Sequence, residues 1–192
     1  MKTTKKGFTL IELIVVIAII GVLAAILVPS LLGYVKKSKI SSADSAATSV
    51  QKAINSSLAD LEAAGYDVSG EGWIDVDGSS IGLPSSATAY VSEDTDLTAE
   101  DFLSKCKNYF DDWHKIKDGS AYITKGTCKC VAITTDNNYV GTHPGGIITA
   151  DDYKSGGIMD DLGADEMIAE AAEQLDLYIA DQEEAAAEGS ST

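Results

Sequence analysis

Hydrophobic residues lie along this chain in two unlike patterns. Between Phe8 and Val28 they run almost unbroken, with Glu12 as the one ionisable group. A helix over that stretch spans roughly 30 Å, about the hydrocarbon thickness of a bilayer. A carboxylate in such a run is costly in lipid, which marks Glu12 as a functional candidate. Gly21 and Pro29 interrupt the run, and each weakens the local backbone ladder. From residue 34 to 63 the helical pattern continues but becomes one-sided. Ile40, Ala43, Ala47, Val50, Ile54, Leu58 and Leu61 recur at steps of three and four. That stripe predicts packing on a sheet, with Gly65 as the stop.

The pattern then shortens. Residues 66–97 are rich in Gly, Ser and Asp. Gly72 to Val76 alternates like a strand, and Asp77-Gly78 is a turn signal before a returning strand over 80–83. A further short strand is expected over 89–91. Thr98 and Asp101 have capping-box spacing and open a predicted helix over 99–115, which buries Phe102, Cys106, Tyr109, Phe110 and Trp113. Strands follow at 120–124, 128–134 and 139–142, with Lys125-Gly126 joining the first two. His143-Pro144-Gly145-Gly146 breaks the third, which resumes over 147–149. Residues 165–187 repeat Ile168, Ala172, Leu175 and Ile179 at helical spacing, and their acidic last turns read as frayed.

These elements predict an α+β fold. Its long N-terminal helix, hydrophobic in its first half and amphipathic in its second, packs on a small antiparallel sheet with additional helices. The expected divisions are 1–7 as a leader, 8–33 as the membrane-spanning half of the helix, and 34–64 as its amphipathic half. Residues 65–157 form the head, and 158–192 form a C-terminal helix and acidic tail.

Charge narrows the function. The net charge is −16, from 14 basic and 30 acidic residues, with a pI near 4.3 and no arginine. Loss of Lys2, Lys5 and Lys6 with a leader takes it to −19. Such a surface repels nucleic acid. The chain holds no phosphate-binding loop, dinucleotide glycine motif, nucleophile elbow or paired-histidine metal motif, and with the apolar run this argues against an enzyme.

Met1 to Gly7 is short and basic, which also suits an ordinary secretory signal cut near Ala24-Ala25, or a plain signal anchor. The apolar run exceeds a usual signal core, and no clear small-x-small site follows Leu27-Val28-Pro29. Lysines at 2, 5 and 6 face lysines at 36, 37 and 39, so the positive-inside rule does not set the topology.

Gly7-Phe8-Thr9-Leu10-Ile11-Glu12, after a short basic leader and before an apolar helix with a proline, resembles the N-terminal signature of type IV pilins and pseudopilins. The resemblance covers roughly residues 1–60. It implies a cytoplasmic leader, and everything after Leu32 outside. It also implies prepilin peptidase cleavage between Gly7 and Phe8, N-methylation of Phe8, and assembly guided by Glu12 meeting the Phe8 amine of a neighbour. Pro29 sits where the family loosens its helix. The implied partners are other copies in a helical filament, a prepilin peptidase, an assembly ATPase, a platform membrane protein and the membrane itself. The expected function is a type IV pilus subunit. A pseudopilin of a type II secretion or DNA-uptake system is the alternative, and a membrane-tethered polysaccharide-binding protein a further one. An acidic helical C-terminus departs from the disulfide-closed sheet of familiar Gram-negative pilins.

Three cysteines outside the cytoplasm suggest one disulfide and one spare thiol. Cys128 and Cys130, two apart on one strand, should share a face and pair poorly with each other. Cys106 is expected to pair with one of them, taken as Cys128. A zinc site of the three thiols with His143 is the weaker alternative, and His114 reads as a surface residue. Asp75, Asp77 and Ser79 are spaced as in a calcium loop that lacks its bidentate Glu, and they read as turn formers. Lys105, Lys107, Lys115, Lys117, Lys125 and Lys129 form a locally basic stretch, read as a solvated face, a contact with the acidic face of the next subunit, or a site for an anionic polymer such as DNA or a surface polysaccharide ligand.

Overall fold

The computed structural model describes residues 8–83 and 97–189. Two units emerge from the packing, Met1–Ser38 and Lys39–Thr192. The first contains the start of α1 (Leu10–Ala63), a helix continuous through Pro29. Pro29 withdraws the N–H that the Ala25 carbonyl would otherwise accept. The Ser30 hydroxyl donates to the Leu27 carbonyl at 2.9 Å in the same turn.

The second unit is an α+β head. Its sheet is an antiparallel meander in the order β1 (Gly72–Asp75), β2 (Asp118–Thr124), β3 (Thr127–Thr134), β4 (Val140–His143). All seven stripe residues predicted on α1 are buried. Ala47, Val50, Ile54, Leu58 and Leu61 share one core with Ile74, Ala121, Ile123, Val131 and Ile133 on one face of the sheet. α2 (Ala99–Tyr109) contributes Phe102 and Cys106 to the same core. The opposite face is covered by α3 (Ala164–Gly189) through Met167, Ile168, Ala171 and Leu175, with Ile148 and Met159 from the preceding turns.

α1 ends as expected. Gly65 takes a positive φ of 91° and Tyr66 N–H reaches back to the Leu61 carbonyl at 3.1 Å, a glycine-terminated cap. Thr98 and Asp101 form the predicted capping box.

Several expectations are corrected. The helix over 99–115 breaks at Phe110, whose extended backbone separates α2 from a 3-10 turn at Asp111–Lys115. That break lets the Trp113 indole N–H donate to the Asp77 carbonyl at 2.8 Å. The returning strand over 80–83 is reduced to one bridge, Val76 to Ile81. Residues 147–149 do not form a strand: Ile147 and Ile148 are bends, Ile148 is buried in the core under α3, and Thr149 closes a turn with Asp152. The strand expected at 89–91 lies outside the described residues.

Cys128 and Cys130 do not share a face. Cys128 pairs with Ile123 and Cys130 with Tyr122, so Lys129 is an extra residue and the two-residue alternation slips. Cys128 therefore joins the α1 core, whereas Cys130 lies under α3.

β4 crosses α1 at Gly141, where a Cβ would lie 1.9 Å from the Ala43 carbonyl carbon. Only glycine permits that approach. The Asp44 carboxylate, one residue on, accepts the Thr142 N–H at 2.8 Å. Burial pushes its pKa up, while hydrogen bonds from the Thr142 and Gly146 amides oppose the shift.

Candidate functional site: the start of the N-terminal helix

Thr9 caps α1, and its hydroxyl oxygen accepts the Glu12 N–H at 3.4 Å. Glu12 Oε2 in turn accepts the Thr9 N–H at 2.8 Å and the Thr9 hydroxyl at 2.6 Å. This reciprocal pair satisfies donors that a helix start otherwise leaves orphaned, and it sets a negative charge at the positive end of the helix dipole. Glu12 is thereby held in one place, four residues from Phe8.

Phe8 is exposed, and large apolar side chains from Leu10 to Val35 follow it onto every side of the helix. The most apolar 18-residue window has a mean hydropathy of 3.2 and none of it is buried. By length and composition it suffices to cross a membrane. Covering a Leu, Ile or Val is worth roughly 1.5–3 kcal/mol each, so a run of this length strongly favours lipid or packed helices over water. Gly21 has nothing within 4 Å of the position its Cβ would take. Gly7, the residue before the expected cleavage point, lies outside the described residues.

The other candidates in the head are not drawn together. All three cysteines are buried free thiols, so the expected Cys106–Cys128 bond is not formed. On α1, the Ser57 hydroxyl bonds Cys106, whereas Gln51 and Asn55 hold Cys128. At about 100° per residue these positions fall on different sides of the helix. Burial pushes Cys106 up to about 12 and Cys130 up to about 11. His143 meets the Thr48 hydroxyl through Nδ1 at 3.2 Å, and burial together with Lys52 lowers its pKa. His114 is exposed, and no group of three or more His, Cys, Asp or Glu is arranged for a metal ion among the described residues.

Asp77 is a turn former. Its Oδ1 accepts the backbone N–H of Ser79 at 2.6 Å and of Ser80 at 2.8 Å, and both serine hydroxyls also donate to its carboxylate. The Ser80 hydroxyl leads these bonds, which hold its pKa at about 2. The lysines do not form one basic face. Lys117 precedes β2 and Lys125 follows it, at opposite ends of the strand, while Lys115 is paired with Asp112 at 2.9 Å.

The Thr9–Glu12 cap was open to sequence reasoning, since Thr9-Leu10-Ile11-Glu12 has capping-box spacing. Asp44 gave no local signal, because its partner Thr142 is 98 residues away.

The family pattern described as Prokaryotic N-terminal methylation motif matches residues 2–28. That stretch of the chain, which holds Phe8, Thr9 and Glu12, is thus similar to a known N-terminal motif. It is 45% identical over 65 residues to a type IV major fimbrial protein FimA of Dichelobacter nodosus, covering 34% of this chain and 42% of that protein. Another FimA of the same organism is 47% identical over 60 residues, 31% of this chain and 38% of its own length. The chain thus spans about two fifths of the length of the curated relatives it matches. No solved structure matches the chain.

Proposed function

We infer that this chain is a structural subunit of a type IV pilus, polymerising through its N-terminal helix after leader removal, and that it is not an enzyme. The observation that carries this is the uniformly exposed apolar half of α1 that begins at the capped Glu12. The similarity of that segment to major fimbrial proteins supports the pilus reading over a secretion pseudopilin.

In this reading the apolar half holds the precursor in the membrane as a single-pass protein. A prepilin peptidase cuts between Gly7 and Phe8, and the new α-amino group of Phe8 is methylated and remains cationic. An unpaired ammonium and an unpaired carboxylate are each costly at low dielectric. Glu12 Oε2 already takes both Thr9 hydrogen bonds, and Oε1 is the oxygen offered to the Phe8 amine of a subunit already in the filament. Pairing offsets the desolvation of both charges and sets one axial register. Pro29 and Gly21 ease bending as the helix leaves the bilayer. An assembly ATPase and a platform membrane protein drive that step, and the assembled protein lies at the cell surface.

The test is Glu12→Ala, read by electron microscopy and by the amount of protein sheared from cells. Filaments should be lost while the precursor stays in the membrane. Filaments at wild-type yield would overturn the pairing.

A further inference from the structure

β4 is an edge strand of the sheet, and its outer edge is met by α1. The two backbones touch at Gly141, where a Cβ would lie 1.9 Å from the Ala43 carbonyl carbon. Beside that crossing α1 presents Asp44, Thr48 and Lys52, each four residues after the last and so on one side of the helix. The Asp44 carboxylate accepts the Thr142 N–H at 2.8 Å and a second bond from the Gly146 amide. One turn on, the Thr48 hydroxyl meets His143 Nδ1 at 3.2 Å. These contacts fasten the end of β4 and the turn over 144–146 to the helix, and a half-buried histidine stands among them.

The Thr48 hydroxyl decides which ring nitrogen titrates. Its hydrogen is given to the Asp44 carbonyl at 2.9 Å, so its oxygen is left to accept from the ring. Nδ1 therefore carries the proton of the neutral ring, and Nε2 takes the next one. That second proton makes a half-buried cation. Lys52 on α1 is the charge that acts on the ring, while Asp44 turns its carboxylate to the two amides. β3 offers only Lys129, another cation, and its residue opposite His143 is Val131. Pro144, Gly145 and Gly146 carry no charge, and α3 covers the other face of the sheet. Burial first, and Lys52 second, lower the pKa of the seated ring below its ordinary 6.5. A ring released to water titrates at the ordinary value. The seated arrangement therefore has its full stability above pH 6.5 and loses it as pH falls from there through the lowered pKa.

We propose that His143 makes the contact between α1 and β4 an acid-sensitive clasp: when Nε2 is protonated, the end of β4 and the turn over 144–146 come away from α1 while the rest of the head stays folded. The Thr48 bond survives protonation, so the opening force is the burial of a cation beside Lys52. Release frees the Thr142 N–H on the outer edge of β4, where Asp44 stands in for a neighbouring strand. Asp44 titrates in the opposite sense. Burial raises its carboxyl, so acid favours its seated form. The clasp does not depend on the filament reading.

The experiment is hydrogen exchange of the full chain in detergent micelles, read by mass spectrometry at about pH 5 and about pH 7, with the intrinsic pH dependence of exchange removed. Peptides covering 141–147 should exchange at least about threefold faster in acid, while those from β2 keep one rate. H143N retains a donor towards Thr48 but cannot titrate, and should remove the acid response. K52E replaces the repelling charge by an attracting one and should shrink the response, whereas D44N should retain it. Circular dichroism checks that each variant folds, and if H143N does not, K52E decides. No acceleration in the wild type, an equal acceleration in H143N, an undiminished one in K52E, or the same acceleration throughout the head would overturn the proposal.

Discussion

Glu12 does two jobs that a substitution can separate. Its carboxylate closes the Thr9 cap, and its charge is what a cationic neighbour would meet. Glu12→Gln keeps acceptors for the Thr9 N–H and hydroxyl but carries no charge, so membrane insertion should persist while filaments fall sharply. Elsewhere, Gly141 and Asp77 show side-chain size and charge at work. A Cβ at Gly141 would sit inside the Ala43 backbone. Gly141→Ala should destabilise the head by about 3 kcal/mol or more, beyond ordinary overpacking, in a denaturant melt. Asp77 has a folded pKa of about 2 against an ordinary 3.8, so folding favours its ionised form. Its contribution is complete above pH 3.8 and is lost as pH falls through about 2. Asp77→Asn should flatten that part of the acid-unfolding profile, and an unchanged profile would contradict the turn assignment.

Among the elements, β3 shows where sequence reasoning stopped. Strand type and approximate bounds followed from alternation, but a bulge adds one residue without changing composition, and Cys128-Lys129-Cys130 looks like regular strand. Beyond Val131 towards Cys128, β4 no longer pairs with β3. Asn55 replaces it, accepting the Cys128 N–H at 2.7 Å and donating to the Cys128 carbonyl at 3.2 Å, where Gln51 also donates at 3.0 Å. Asn55→Ala leaves a half-buried amide unpaired and should cost about 1–3 kcal/mol in thermal or denaturant unfolding. The break at Phe110 was equally hidden, because it answers to Asp77, 36 residues from Trp113. By contrast the α1 stripe, the Gly65 stop and the Thr98 cap were legible, each resting on residues within one or two turns. Long-range contacts such as Asp44 with Thr142 were not.

For the whole molecule, a chain with a folded acidic head also carries an apolar helix half whose large side chains are exposed. That contrast was readable at once, because it needs only the length of an apolar run and one carboxylate. The covering of the sheet's second face by α3 was only half readable. Its stripe announced a helix, while the turns over 144–163 that share its core had no periodicity to read. The most direct test is the mass of the N-terminal peptide from protein sheared off cell surfaces. A chain that begins at N-methylated Phe8 is predicted, as peptidase processing and filament assembly require. A chain that begins at Met1, or near Ala25, would contradict both and leave a signal anchor or an ordinary secreted domain.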